Sequence, residues 1–304
     1  MPELPEVETV RRGLAETTVG WAIEGGEVLL DRAIAAPAPA GLLTGLTGCQ
    51  IHQWHRRGKY LLGELRRGGE AGGWLGVHLR MTGQLRWLDR TAPLGPHDRV
   101  RLWTVQGSAA RELRFSDIRT FGRLWWVPPD IEPSAVMTGL AKLGPEPFDE
   151  AFTGEYLKNS LAGRSRSLKA ALLDQALVAG LGNIYVDESL FLSGLHPETP
   201  GAALTQAQGD RLRDAIRTVL SDSIAAGGTT FSDFISLTGL NGNYGGVAWV
   251  YRRTGQPCRG CGTAIARLKI AGRSSHFCPR CQPAPSSSTP PSTTSPTVET
   301  NSVQ

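Results

Sequence analysis

The segment CRGCGTAIARLKIAGRSSHFCPRC, residues 258–281, contains four of the five cysteines of this chain. They follow the pattern C-x2-C-x16-C-x2-C. This spacing is typical of a structural zinc site, because each C-x2-C pair folds into a tight turn that directs two sulfurs at one tetrahedral ion. The residues between the pairs are long enough for a two-stranded hairpin. The segment therefore predicts a ribbon held by one structural zinc ion, with the ligands Cys258, Cys261, Cys278 and Cys281.

Two other uses of paired cysteines are weaker interpretations of this segment. Disulfides are rare in a reducing cytosol, and a redox dithiol needs one C-x2-C pair instead of two. Cys49 lies far from both pairs in sequence and is predicted to be a small buried hydrophobic residue. Arg273 lies near the predicted hairpin tip, where a guanidinium is either a phosphate contact or an ordinary surface charge.

The composition is that of a globular protein with room for two domains. The chain has 304 residues, of which 40% are hydrophobic and 20% charged, and its formal net charge is +4. No apolar run approaches the roughly 18 residues of a membrane-spanning helix, and the N-terminus is acidic instead of basic and apolar. We therefore expect a cytoplasmic protein without a membrane partner.

The distribution of basic residues favours a nucleic-acid partner more than the net charge does. Three basic clusters lie in separate segments, and together they predict a surface that follows a phosphate backbone. Each cluster alone is more often an ordinary solvated surface. Their members are Arg56, Arg57 and Lys59; Arg164, Arg166 and Lys169; and Arg252 and Arg253.

The remaining sequence predicts an α+β protein of several domains. Short apolar or alternating runs separated by turn-rich stretches occupy about residues 21–127, which favours an antiparallel β-sandwich preceded by an N-terminal helix from Pro5. After the break at residues 128–133 the pattern becomes helical, with helices expected over 146–161, 167–180, 183–194 and 205–228. Gly180 is the expected C-cap of the second of these helices, and Asn183 the expected N-cap of the third. We predict a β-sandwich domain over 1–130, a helical domain over 131–245, a zinc ribbon over 246–283 and a disordered tail over 284–304.

The first three residues, Met-Pro-Glu, have a chemical interpretation. Removal of Met1 would expose the secondary amine of Pro2, and an α-amino group is a far weaker base than a lysine, so more of it is unprotonated at neutral pH. Such an amine condenses with an aldehyde to a charged iminium, and Glu3 beside it could act as general acid or base. The alternative is that Pro2 only shapes the entry to the first helix.

These features together resemble the formamidopyrimidine-DNA glycosylases, bacterial base-excision repair enzymes. MPELPEVETVRRGL and the four-cysteine ribbon stand at the two ends, and GKYLL, HLRMTGQL, PHDR, LLDQALVAGLGNIYVDESLF, GGTT and CPRCQ fall between residues 2 and 282 in the family's order. The resemblance implies a helix–two-turn–helix in the helical domain. It also implies removal of oxidised purines from double-stranded DNA by a monomeric enzyme, with β,δ-elimination through a Schiff base on the N-terminal proline.

The resemblance also assigns roles to individual residues. It implies that Pro2 attacks the sugar, that Glu3 protonates it, that Lys59 contacts phosphate, and that Arg273 supports the final elimination. Residues 238–249 match a loop that covers the flipped base. The residues expected to contact DNA are His97, Arg119, Arg164 and Asn183, and those expected to fill the space left by the flipped base are Met81, Arg119 and Phe121. Asn183 would lie in a turn where a helix N-terminus offers N–H groups to a phosphate.

Two departures from the family pattern and two rival functions bear on these expectations. Ile118 stands where the family often has proline, and the GNYGG sequence at residues 242–246 lacks the aromatic-richer ending that is common there. An endonuclease VIII-like glycosylase for oxidised pyrimidines shares most of the motifs, although such enzymes typically begin PEGPE. A non-catalytic zinc-ribbon DNA-binding protein is the second rival, and the Pro2–Glu3 pair argues against it.

Overall fold

The computed structural model describes residues 2–229 and 246–285. The predicted covering loop therefore lies mostly outside the described residues, and so does the predicted tail from residue 286 onward. Within the described ranges, every helix is too short or too polar to span a lipid bilayer. The division into four predicted domains remains a prediction.

Strands dominate the first 127 residues, as the alternating pattern predicts. The strands are β1 (Ala22–Val28), β2 (Ile34–Ala36), β3 (Gln50–Arg57), β4 (Tyr60–Arg67), β5 (Glu70–His78), β6 (Gly83–Asp89), β7 (Asp98–Gln106), β8 (Ala109–Asp117) and β9 (Arg123–Val127). Helix α1 (Leu4–Thr18) precedes them, and α2 (Pro39–Leu46) lies between β2 and β3. A 3-10 turn covers Asp31–Ala33.

Within the described ranges these nine strands form one sheet in the order β2-β9-β5-β4-β3-β1-β7-β8-β6. Neighbours are antiparallel except β2 and β9. β1 pairs with β3 through Ala22 and Gln50 alone, whereas it pairs with β7 along its length. The sheet therefore folds over at β1, and buried side chains from both halves, such as Val77 and Leu102, share the same core. The predicted β-sandwich is confirmed.

The second half is helical and contains the zinc-ribbon hairpin. Its elements are α3 (Pro133–Val136), α4 (Gly154–Leu161), α5 (Leu168–Leu172), α6 (Asn183–Leu192), a 3-10 turn (Gly201–Ala203), α7 (Gln206–Ala225), β10 (Ala266–Ile270) and β11 (Arg273–Phe277). The predicted α+β class is therefore confirmed. The expected hairpin between the cysteine pairs is confirmed, since β10 and β11 are antiparallel and Ile270 pairs with Arg273 beside the tip.

The helix expected over 167–180 ends much earlier, and this prediction is wrong. α5 ends at Leu172, and residues 173–180 form turns and bends. The side chain of Gln175 holds these turns, because its amide donates to the Leu181 carbonyl at 2.8 Å and accepts from the Gly180 N–H at 3.0 Å. The apolar spacing of this segment instead reflects burial of residues such as Val178 in the helical core.

Helix α1 connects the two halves of the molecule. Val7, Val10 and Leu14 pack in the sandwich core, whereas Leu4 is fully buried in the core formed by the helical half. The Leu4 N–H donates to the Gly180 carbonyl at 3.0 Å. Gly180 has a φ of +90°, and a Cβ there would lie 2.6 Å from Leu4 Cδ1. The residues before α1 are therefore fixed at the junction between the sandwich and the helical half.

Candidate active site

Glu3 is the N-cap of α1, and its side chain points into the N-terminus of α6. Its carboxylate accepts hydrogen bonds from Ile184 N–H at 3.0 Å and Tyr185 N–H at 3.4 Å. Its own N–H donates to Glu6 at 2.9 Å. A helix N-terminus favours a negative charge, since its first N–H groups lack partners within the helix. These contacts fix a buried carboxyl group directly after Pro2, which is itself buried.

Burial dominates the protonation of Glu3. Its side chain is 2% exposed, and burial raises the pKa of the carboxyl group, while Lys59 and the α6 N–H groups oppose this shift. A carboxyl group with a raised pKa keeps its proton to higher pH than an ordinary glutamate, so it is a better proton donor near neutrality. Burial therefore favours the protonated form of Glu3, which is the form that a proton donor requires.

Lys59 lies in the turn between β3 and β4 and faces the same junction. Its ammonium group donates to the Leu181 carbonyl at 2.8 Å, and the residue is 7% exposed. Burial lowers the pKa of Lys59, and the Glu3 carboxylate opposes this shift. Glu146 secures the turn by accepting from Gly58 N–H at 2.6 Å. Lys59 and Glu3 therefore influence each other's pKa across the junction.

A cavity of about 270 Å³ opens beside these groups. Lys59 and the exposed Arg273 of the zinc hairpin both line it, so the structure brings together two of the residues implicated by the sequence. The cavity also receives His78, Arg80 and Gln175, which the sequence reasoning did not single out. His78 and Arg80 belong to the HLRMTGQL motif. They alternate with an apolar residue at the end of β5, and this alternation is the feature of the sequence that could have identified them.

His78 is held as a neutral ring in this cavity. Burial is the largest cause that lowers the pKa of His78 to about 3, followed by the nearby charges of Arg80 and Lys59. Its Nδ1 accepts from Arg80 N–H at 3.0 Å, and its ring packs edge-on against Tyr60 with centroids 4.5 Å apart. A neutral imidazole whose Nδ1 accepts a hydrogen bond carries its proton on Nε2, so His78 offers the cavity a donor.

Two of the predicted basic clusters are largely neutralised within the protein. Arg56 pairs with Glu8 at 3.2 Å and with Glu146 at 2.7 Å, and Arg57 pairs with Glu146 at 3.0 Å. Lys169 is fully buried against Asp187. These side chains hold the fold together, and the prediction that whole clusters follow a phosphate backbone is wrong for them. Arg164 is exposed in the turn before α5.

Asn183 is the first residue of α6, and Gly182 is its N-cap. The expectation that Asn183 caps this helix is therefore wrong by one residue. Its side-chain amide donates to the Ser274 carbonyl at 3.0 Å. Because Glu3 accepts from the N–H groups of Ile184 and Tyr185, the start of α6 is engaged by a carboxylate of the protein itself.

The predicted void-filling residues lie in two loops that are joined to each other. Thr82 follows Met81, and its hydroxyl accepts from the Arg119 N–H at 3.0 Å and donates to Asp117 at 2.5 Å. The Arg119 guanidinium lies 5.0 Å from the centre of the Phe121 ring. Phe121 is 43% exposed, which argues against an ordinary core role, and Met81 is half-buried.

Asp117 fixes the loop that carries Arg119 and Phe121. Its carboxylate accepts from Arg119 N–H at 3.2 Å and from Gly122 N–H at 2.7 Å. Ile118, where the family often has proline, is 52% exposed, so its side chain adds little packing to this turn. His97 lies beside this loop, since its carbonyl accepts from Asp117 N–H at 2.9 Å. His97, Asp117 and Ile118 line a second cavity of about 180 Å³, which shares no lining residue with the first.

The four predicted zinc ligands converge on one point. Their sulfur atoms all lie within 4.8 Å of one another, with Cys258 and Cys281 3.9 Å apart and Cys261 and Cys278 3.4 Å apart. Zinc–sulfur bonds of ~2.3 Å in a tetrahedron place sulfurs about 3.8 Å apart, so the cluster fits one structural zinc ion. Cys49 is fully buried outside this cluster, as predicted.

Three protein-family models match three successive parts of the chain. Residues 1–124 match the formamidopyrimidine-DNA glycosylase N-terminal domain, residues 143–235 its H2TH domain, and residues 255–284 a zinc finger found in FPG and IleRS. A formamidopyrimidine-DNA glycosylase of Synechococcus sp. is 62% identical over 283 residues, covering 93% of this chain and 99% of the relative. That of Rippkaea orientalis is 58% identical over 284 residues, covering 93% and 100%.

Solved structures of a Lactococcus lactis relative with DNA are also similar. The complex of a point mutant of that protein with Fapy-dG-containing DNA has a TM-score of 0.84 and 37% identity, covering 93% of this chain and all of that one. The complex of the wild-type protein with DNA containing an oxidised pyrimidine has a TM-score of 0.83, the same identity and the same coverage.

Proposed function

The chain belongs to the formamidopyrimidine-DNA glycosylase family, and we propose that it removes oxidised purines, including 8-oxoguanine and formamidopyrimidines, from duplex DNA and then cleaves the strand as an abasic-site lyase. The observation that carries this proposal is the placement of Glu3. Its buried carboxyl group lies at the N-terminus of α6, directly after Pro2 and across the junction from Lys59. Such a site suits attack by an amine on a sugar with a proton donor beside it.

In the first step, the unprotonated amine of Pro2 bonds to C1′ of the damaged nucleotide, and the bond from C1′ to the base breaks. The base leaves with the bonding electron pair and takes up the proton that the Pro2 nitrogen loses after it has bonded to C1′. Glu3 protonates the sugar ring oxygen, so the ring opens and the nitrogen–carbon bond becomes an iminium. The raised pKa of Glu3 supports this role, because the group holds a proton to donate.

In the second step, the iminium accepts electrons as two phosphates depart. Loss of a C2′ proton breaks the bond from C3′ to oxygen, and loss of a C4′ proton then breaks the bond from C5′ to oxygen. Each departing phosphate carries negative charge, which the cations at the cavity would stabilise. Lys59 and Arg273 line that cavity together, and we assign them this role. Water then hydrolyses the remaining Schiff base and frees Pro2.

The zinc ion would hold the hairpin that carries Arg273. Its four proposed ligands are Cys258, Cys261, Cys278 and Cys281, and a closed site of four thiolates leaves no open position for substrate. Met81, Arg119 and Phe121 would fill the space left when the damaged nucleotide turns out of the duplex. His97, Arg164 and Asn183 are assigned to the DNA backbone by family resemblance.

We also propose that the enzyme acts as a monomer on DNA in the bacterial cytoplasm. Lys59 and Arg273 line the cavity from one chain, and the same chain supplies Pro2 and Glu3 at the adjoining junction, so the proposed chemistry needs no residue from a partner subunit. Light scattering coupled to size-exclusion chromatography, with and without a lesion duplex, tests this proposal. A stable dimer in both samples would contradict it.

Competing excision tests the substrate assignment. Duplexes that contain a single 8-oxoguanine or a single thymine glycol are incubated together with the enzyme, and the rates of base release are compared. We expect faster release of 8-oxoguanine. Faster release of thymine glycol would favour an endonuclease VIII-like specificity, and release of neither base would contradict the glycosylase proposal.

A further inference from the structure

Asp187, on α6, is the centre of a buried cluster that the proposed chemistry does not use. Its Oδ1 accepts from Lys169 Nζ at 2.8 Å and from the Ser275 hydroxyl at 2.9 Å. Its Oδ2 accepts from His276 N–H at 2.9 Å and lies 3.0 Å from His276 Nδ1. Asp187 and Lys169 are 1% and 0% exposed. We call these four residues the Asp187 cluster.

A buried ion pair is costly to form unless its remaining hydrogen-bonding capacity is satisfied. Burial lowers the pKa of Lys169, and the Asp187 carboxylate opposes that shift. The cluster satisfies both charges, since Lys169 also donates to the Asn183 carbonyl at 3.0 Å. Apolar residues would be enough to pack α5, α6 and the zinc hairpin against one another. Packing alone therefore does not account for a buried ion pair at this position.

The cluster connects three elements, two of which lead to the candidate active site. Lys169 comes from α5 and Asp187 from α6, whereas Ser275 and His276 come from β11 of the zinc hairpin. β11 begins at Arg273, which lines the cavity with Lys59. α6 also leads to this site, because an N–H group of its first turn binds Glu3.

A second contact reinforces this geometry at the start of α6. The Asn183 side chain donates to the Ser274 carbonyl at 3.0 Å, so residue 274 is fixed directly after Arg273. The hairpin is thus attached to α6 on both sides of its first turn, at Asn183 and at Asp187. The distance between Arg273 and Glu3 then depends on these contacts as well as on the zinc ion.

We propose that Asp187 is a positioning residue that fixes Arg273 relative to Glu3 and thereby sets the efficiency of the second elimination. This inference rests on the proposed function, because it concerns the departure of the second phosphate. A purely structural role would lower thermal stability and leave the distribution of cleavage products unchanged. The proportion of β- to β,δ-elimination products therefore distinguishes the two roles.

Asp187→Asn tests the proposal, because the amide keeps the shape of the side chain and removes its charge. The enzyme is incubated with abasic-site duplex DNA, and the two product ends are separated by gel electrophoresis. We expect the ratio of the second elimination to the first to fall about tenfold, which corresponds to about 1.4 kcal/mol. Asp174→Asn is the matched control, since it removes an exposed ion pair with Arg166 in the same half of the protein.

A double-mutant cycle shows whether Asp187 acts through Arg273. In an Arg273→Ala background, Asp187→Asn should cause no further change in the product ratio. An equal additional fall would overturn the proposal, and so would an unchanged ratio in the single variant with wild-type zinc content. Should Asp187→Asn fail to fold, His276→Asn, which keeps the backbone contact, decides by the same ratio. Wild-type enzyme that gives no strand cleavage would overturn this inference and the lyase proposal together.

Discussion

Gly182→Ala is expected to disable Glu3 without changing any residue assigned to the chemistry. Gly182 is the N-cap of α6, and its extended backbone, with φ of −138° and ψ of −160°, is open to alanine. A Cβ at this position would lie 2.3 Å from Glu3 Cδ and 2.4 Å from its Oε1. Ordinary contact requires ~3.4 Å or more, so the Glu3 carboxyl group must retreat by roughly 1 Å.

The size of the expected effect follows from this displacement. Glu3 is buried and is held by the N–H groups of Ile184 and Tyr185, so it has little space in which to relax. A misplacement of about 1 Å in a reacting group can cost about 10²-fold in rate, which corresponds to ~2.7 kcal/mol. We therefore expect the single-turnover rate of 8-oxoguanine excision to fall about 100-fold. Overpacking should also lower the free energy of unfolding by about 1–3 kcal/mol.

The assay compares excision under single-turnover conditions with affinity for a duplex that carries an uncleavable abasic analogue. Affinity should change little, because Gly182 supplies no side chain to the DNA. Gly25→Ala is the matched control, since its Cβ would meet Trp103 at an ordinary 3.5 Å. An excision rate for Gly182→Ala within about threefold of wild type would refute the assignment of Glu3 as a positioned proton donor.

Three further predictions concern the zinc site, the void-filling loop and pH. Cys258→Ser should lose bound zinc and DNA affinity together, whereas Cys49→Ser should keep both; full zinc content in Cys258→Ser, measured by atomic emission, would refute the four-cysteine site. Asp117→Ala should slow excision from an intact duplex about tenfold, because the N–H groups of Arg119 and Gly122 lose their acceptor. Equal slowing on a duplex whose opposite nucleotide is abasic would argue for a general folding defect. Burial raises the pKa of Glu3, so its contribution to stability is present below the ordinary value of 4.5 and is lost as the pH rises through the raised value. The Tm of Glu3→Gln should therefore rise relative to wild type across this window, and a constant difference would contradict the raised pKa.

Features set by local spacing were predictable from the sequence. Alternation along the strands predicted the β-sandwich, and the C-x2-C pairs predicted the converging sulfurs of the zinc site. The Pro2–Glu3 pair could be proposed from the sequence because its chemistry depends on adjacent residues, and its catalytic role remains a prediction. In each case the determining residues lie within a few positions of one another, or their spacing along the chain is itself diagnostic.

Features set by contacts between distant segments were not predictable. α5 ends at Leu172 because the Gln175 side chain and the docked N-terminus of α1 hold the following turns, although the apolar pattern continues. Glu3 occupies the N-terminus of α6, which lies about 180 residues away in sequence. Lys169 looked like part of a basic surface, but it is buried against Asp187, which the hairpin residues Ser275 and His276 also contact.

The identity of the residue that bonds to DNA is the most direct test of the whole account. Enzyme is incubated with abasic-site duplex and borohydride, the trapped complex is digested, and the modified peptide is identified by mass spectrometry. We expect the reduced sugar on the nitrogen of Pro2, in a peptide that lacks Met1, and no adduct in protein with an N-terminal extension. An adduct on Lys59 or another lysine, or undiminished trapping in the extended protein, would contradict the account.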